Sequence, residues 1–222
     1  MNKRISINQF SEYSSKKRES SKLSIIRNQK KPDKNFFWYQ RAKASIRTSL
    51  REGGDLLPIY NGIEILTNSS PNGKRQLDNK NVSILALEQF VMMKLPSCIM
   101  GGKFEVLKLE KKSFIINELE ISISPEFVFR MKKPNGESAI GGIKIHICKS
   151  KPFSLQTAEL ASTVLYKFLK ETVNSDEGVD PRYCFTLDVF GDRVVSAPSN
   201  IKLYNETIDD LCEEIIKYWD AA

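Results

Sequence analysis

Glu126 and Lys144 are the residues whose types and spacing point most directly to a reaction. They sit in the stretch Leu119 to Cys148, which reads as two strands folded about Pro134-Asn135-Gly136. A carboxylate and an ammonium group facing one another on a sheet can help hold a divalent ion. They can also stabilise the negative charge that develops when a phosphodiester is hydrolysed. Their opposition follows from alternation, because successive side chains of a strand point to opposite faces and a slip of one residue exchanges the faces. Ile121, Ile123, Phe127, Phe129 and Met131 share the odd face with Ala139, Ile143, Ile145 and Ile147; Glu120, Ser122, Ser124, Glu126, Lys144 and His146 share the even one. Keeping both apolar sets on one face puts Glu126 opposite Lys144. A two-residue Asn-Gly turn would set isoleucines against glutamates, so the alternation predicts a loop of three or five residues.

Other groups compete for roles around this pair. Glu120 shares the face of Glu126 but lies about 20 Å along the strand, too far to join it on one ion. Glu88, on a helix predicted from Ile84 to Leu95, and Asp188, at the end of a strand, are the remaining acids that could act as a second ligand. His146, the single histidine of the chain, follows Lys144 on the polar face and could move a proton or contact phosphate. The alternatives stay open: an ordinary cross-strand ion pair for Glu126 and Lys144, a solvent-facing acid for Glu88, a turn-stabilising acid for Asp188. Gly141-Gly142 lacks the pattern of a phosphate loop and predicts a bulge or a close backbone approach.

The elements that must position these residues follow from periodicity. Phe36 to Leu50 predicts a helix stopped by Gly53-Gly54, with Tyr39, Lys43, Arg47 and Arg51 four apart on one stripe that could contact phosphates while the aromatics stack on bases or pack in the core. Leu23 to Ile26 and Leu56 to Leu66 read as strands. Phe104 to Leu109 and Ser113 to Ile116 read as strands meeting at Glu110-Lys111-Lys112. Ser154 caps a helix running to Val173, Tyr183 to Val189 pairs with Arg193 to Ala197 about Gly191-Asp192, and a last helix begins at Asn205 or Thr207. Lys149 and Lys151, just before the Ser154 helix, could bind a phosphate together with its free amides.

The succession is helix, strands, helix, strand: an α/β (α+β) chain with a central mixed sheet and an αβββαβ core flanked by helices. It resembles the core of the PD-(D/E)xK phosphodiesterase superfamily, the restriction-endonuclease-like fold, over residues 84–190. Position by position, Pro125-Glu126 is similar to the first motif, Gly142-Ile143-Lys144 to the second and Glu88 to the acid of the first helix. The resemblance implies a Mg²⁺ ion held by Glu88 and Glu126, with Glu126 and Lys144 catalytic in cutting DNA or RNA. It departs at Gly142, where the family carries a second carboxylate.

Charge is unevenly spread: 14 of the 34 Lys and Arg, against three of the 27 acids, fall in residues 1–51. Residues 1–34 are expected to form a basic, partly irregular arm, and 35–222 one globular α/β domain. Such an arm suits a polyanion, because cations on phosphates release condensed counterions. The competing reading is a non-catalytic interaction or scaffold protein that uses the same sheet and docks a protein partner. Cys98, Cys148, Cys184 and Cys212 match no zinc spacing. With no run of about 18 apolar residues, a cytoplasmic protein without membrane contact is expected.

Overall fold

A computed structural model describes residues 3–30, 38–173 and 178–221. Its organising element is a five-stranded mixed sheet in the order β2-β5-β6-β7-β8, built from β2 (Phe104–Leu107), β5 (Phe127–Lys132), β6 (Ser138–His146), β7 (Val179–Asp188) and β8 (Arg193–Ser196). β2, β5 and β6 run antiparallel to their neighbours in turn, and α6 (Leu155–Thr172) then carries the chain to β7, which lies parallel to β6. With α5 (Lys74–Met92) before β2, this is the predicted αβββαβ succession. One hairpin is inserted into it: β3 (Ser113–Ile116) and β4 (Leu119–Ser122), which join β1 (Arg4–Ser6) in a separate sheet of order β1-β4-β3. The expected pairing of the Phe104 and Ser113 strands is therefore corrected, since the two belong to different sheets.

The register between β5 and β6 agrees with the alternation. Phe127 pairs with Ile143 and Val128 with Gly142, and the loop closes where the Lys133 amide donates to the Glu137 carbonyl (2.8 Å). Three residues, Pro134 to Gly136, make the turn, with Gly136 at φ 84° supplying the left-handed conformation that other residues resist. On β6 the register with β7 shifts between Ile140 and Gly142. A methyl group on Gly141 would overlap the Tyr183 carbonyl, so the glycine permits the close approach. Gly141→Ala should therefore lower unfolding stability by about 1–3 kcal/mol, read as a shift of the denaturant midpoint. Gly178→Ala, which meets open space, should stay within about 0.5 kcal/mol of the parent.

Each face of the large sheet has its own core. Phe127, Phe129, Ile143, Ile145, Phe185 and Leu187 pack against α3 (Gln40–Arg51), α4 (Leu57–Asn68) and α5. Val128, Ile140 and Cys184 pack on the other side against α6 and α7 (Ile201–Trp219). The N-terminal segment belongs to this second core. α1 (Ile7–Ser14) and α2 (Glu19–Lys30) bury Ile7, Phe10, Tyr13, Ile25 and Ile26 there, so most of residues 3–30 is helical and packs into the core. The strand expected over Leu23 to Ile26 is helix. Residues 31–34 lie outside the described residues, as do Phe36 and Phe37 of the predicted helix.

Leu56 to Leu66, read as a strand for its β-branched residues, is helix α4. Pro58 sits in its first turn, where its missing N–H costs nothing, and Ile59, Gly62 and Leu66 share a buried face at helical spacing. α7 begins at Ile201, earlier than expected. Among the described residues no helix is long and apolar enough to cross a membrane.

Candidate functional site: a basic cleft at the start of β5

The chain passes from the small sheet to the large one through Ile123 to Pro125, with Ser124 at φ 44°. That departure ends the β5–β6 ladder after the Glu126 amide donates to the Ile143 carbonyl (2.9 Å), and it leaves the Ile145 amide without a main-chain partner on β5. The Glu126 side chain replaces the missing rung: Oε2 accepts from the Ile145 N–H at 2.6 Å. Oε1 lies 3.3 Å from Lys144 Nζ and 2.5 Å from Lys43 Nζ. Lys144 also donates to the Ser124 carbonyl at 3.1 Å. The predicted meeting of Glu126 and Lys144 is thus observed, with side chains only 2% and 6% exposed. Burial pushes the Lys144 ammonium below its ordinary pKa; Glu126 opposes that shift and Lys43 adds to it.

Lys43 comes from α3, whose stripe Lys43, Arg47 and Arg51 lines one wall of a cleft of about 580 Å³. Lys108, Lys111 and Lys112, between β2 and β3, line it too, and Ser124 to Val128 complete it. Among the described residues six cations and one acid, Glu126, line this cavity. The sequence reading identified the α3 stripe and missed the three lysines of the β2–β3 connection. Lys111 and Lys112 looked like turn residues there, and their role depends on a crossing between sheets that local pattern does not encode.

The other candidate residues are not brought to the cleft. Glu88 is exposed on α5, in the helical layer that packs against the Ile143–Ile145 face. Glu88 does not line the cleft that holds Glu126, and among the described residues it belongs to no group of acids that could hold a metal. Gly142 faces α6: a methyl group there would stand 3.0 Å from Leu169 Cδ1, so a carboxylate at this position would enter an apolar core. Glu120 lies in the small sheet beside Arg4, 3.5 Å away. Lys151 pairs with Glu12 at 2.7 Å, and the Phe153 amide just before α6 donates to Asp188 Oδ2 at 2.6 Å. Lys149 is exposed but does not line the cleft. Of the phosphate site expected around Lys149 and Lys151, Lys151 and the amide before α6 are engaged by the protein's own acids.

A Mg²⁺ ion fits this arrangement poorly. Such an ion is held by carboxylates with free lone pairs, whereas Glu126 gives one oxygen to two ammonium groups and the other to an amide. Among the described residues no three His, Cys, Asp or Glu side chains form a group that could hold a metal.

His146 and Asp188 stand opposite one another on β6 and β7, each held by contacts to the segment before α6. The imidazole stacks on Phe153 (centroids 3.7 Å apart, planes 9°) and its Nε2 lies 2.9 Å from the Lys151 carbonyl, a contact that requires Nε2 to carry the proton. Asp188 holds the segment before α6, and Gly191 is required beside it because a methyl group would overlap the carboxylate. Burial holds His146 below the usual histidine range, as does Lys144, while the Lys151 carbonyl, Asp188 and Glu12 oppose the shift. A histidine kept neutral in the fold takes up protons more readily when unfolded. Its contribution is complete above about pH 6.5 and is lost as the pH falls below that value. Burial shifts Asp188 the other way, upward, which offsets part of the loss. Melting temperatures should fall between about pH 7 and pH 5, and fall less in His146→Phe.

No protein-family model matches the chain, and a search of curated proteins finds no match either.

Proposed function

We propose that this protein binds nucleic acid through the cleft between α3 and the β2–β3 connection, and that Glu126 and Lys144 build that cleft without cutting the bound polymer. The observation that carries the reading is the lining: among the described residues six cations converge on one concavity around a single acid, Glu126, which Lys43 and Lys144 neutralise, so that Arg47, Arg51, Lys108, Lys111 and Lys112 line the cleft with no share in that pairing. Cations that are not consumed by partners within the protein can replace the counterions condensed on a phosphate chain. The αβββαβ succession supports kinship with phosphodiesterase-like folds, in which this region of the sheet meets nucleic acid. Fold similarity alone carries no activity.

The committed oxygens of Glu126, the apolar surroundings of Gly142 and the position of Glu88 outside the cleft lining together favour binding over hydrolysis. The test is fluorescence anisotropy with labelled DNA and RNA oligonucleotides at about 50 mM salt, with and without Mg²⁺, followed by product analysis. Binding with intact oligonucleotide in both conditions is expected. Absence of binding to either polymer would overturn the proposal. Mg²⁺-dependent cleavage that disappears in Lys144→Met would restore the hydrolytic reading.

A further inference from the structure

We infer that the cleft takes a single strand of nucleic acid and reads its phosphates, an inference that rests on the nucleic-acid reading above and narrows its substrate. Lys43, Arg47 and Arg51 stand four residues apart on α3, so each step along the stripe rises about 6 Å. That rise is comparable to the spacing of successive phosphates along an extended strand. The second set of cations, Lys108, Lys111 and Lys112, comes from a different segment and lines the same concavity. Charge from two segments around one hollow suits a backbone that enters it. A duplex presents its phosphates on a convex surface and suits a flat or one-sided patch.

The size agrees. About 580 Å³ falls in the range of a drug-sized ligand site, room for a short run of one strand. Among the described residues the cleft lining offers no platform for base stacking, because its one aromatic, Phe127, is 3% exposed and already stacked on Phe104 with centroids 5.7 Å apart. Single-strand binders that prefer certain bases rely on stacking strength; here the strand is held by charge. Glu126, the one carboxylate among the described lining residues, is occupied by Lys43, Lys144 and the Ile145 amide, and the lining cations address phosphates common to both sugars, so ribose and deoxyribose strands should bind alike.

The experiment compares oligo(dT), oligo(dA) and oligo(rU) of about twelve nucleotides with a duplex of the same length at about 50 mM salt. Anisotropy is read for the wild type and for Arg47→Gln/Arg51→Gln, whose side chains are exposed. Single strands should bind at least about tenfold more tightly than the duplex and within about threefold of one another. The variant should lose most of that preference. A duplex bound as tightly as the strands, with both weakened in the variant, would overturn the single-strand inference while leaving the cleft as the nucleic-acid site. Binding that the variant leaves unchanged would overturn the cleft reading itself. A base or sugar preference above about tenfold would overturn recognition through phosphate alone.

Discussion

Glu126→Ala should cost about 3–5 kcal/mol of folding stability, the range expected when a buried ion pair loses one partner and the other is left uncompensated. Glu126 is the only carboxylate paired with Lys144 in the described residues, and the lysine side chain is 6% exposed. Removing the acid strands that ammonium group and also leaves the Ile145 amide unsatisfied. The reverse change is milder. In Lys144→Met, Glu126 keeps Lys43 and the Ile145 amide, and a methionine of similar shape fills the space, so a cost of about 0–2 kcal/mol is expected. Adding Lys144→Met to Glu126→Ala should recover part of the loss, because no unpaired charge remains. Urea unfolding of the three variants gives the comparison. An equal cost for Glu126→Ala and Lys144→Met would contradict the account, since a lone surface pair would behave symmetrically.

The sign of the pH dependence follows from the same geometry. Burial already depresses the Lys144 pKa in the parent, and Glu126→Ala removes the charge that opposes the shift. A lysine depressed in the fold binds fewer protons there than when unfolded, so the penalty is complete below its folded pKa and fades as pH rises toward the unfolded value near 10.4. The deficit of Glu126→Ala relative to the parent should therefore shrink between about pH 7 and pH 9.5.

The second large effect concerns binding. Arg47→Glu/Arg51→Glu should weaken oligonucleotide affinity about 100-fold at about 0.1 M salt, because each reversal removes a phosphate contact and adds repulsion. Both side chains are exposed on α3 and line the cleft, so stability should stay within about 0.5 kcal/mol of the parent. Lys149→Glu, outside the cleft, should change affinity by less than about threefold. Equal losses from both changes would indicate a diffuse electrostatic attraction with no defined site.

The parts of this protein legible in its sequence were those set by local alternation. Odd and even residues of β5 and β6 fixed the register, and with it the Glu126–Lys144 contact and the three-residue loop. Ser154 announced its helix because a hydroxyl before an apolar stripe is a cap, and it accepts from the Thr157 amide at 3.1 Å. The glycine pair announced the shift beside β7.

What stayed hidden depended on distant parts of the chain. The Ser- and Lys-rich composition of residues 14–22 masked two helices whose isoleucines and aromatics complete the core beside α6, so deleting that segment would expose core instead of trimming an arm. Leu56 to Leu66 has the look of a strand, although it is helix α4 and its Gly62 lies against Ser45 of α3. The site followed the same division. Lys43, Arg47 and Arg51 formed a visible stripe; the lysines completing the cleft needed the crossing from one sheet to the other. Glu88 stood at a plausible sequence position, yet it is exposed on α5 and does not line the cleft.

The most direct measurement is the salt dependence of wild-type affinity for a short single-stranded oligonucleotide. With about three to five phosphates engaged, log K should fall linearly with log salt at a slope of about −2 to −3.5. A slope near zero, or no binding at about 50 mM salt, would contradict the claim that the cleft holds a phosphate backbone.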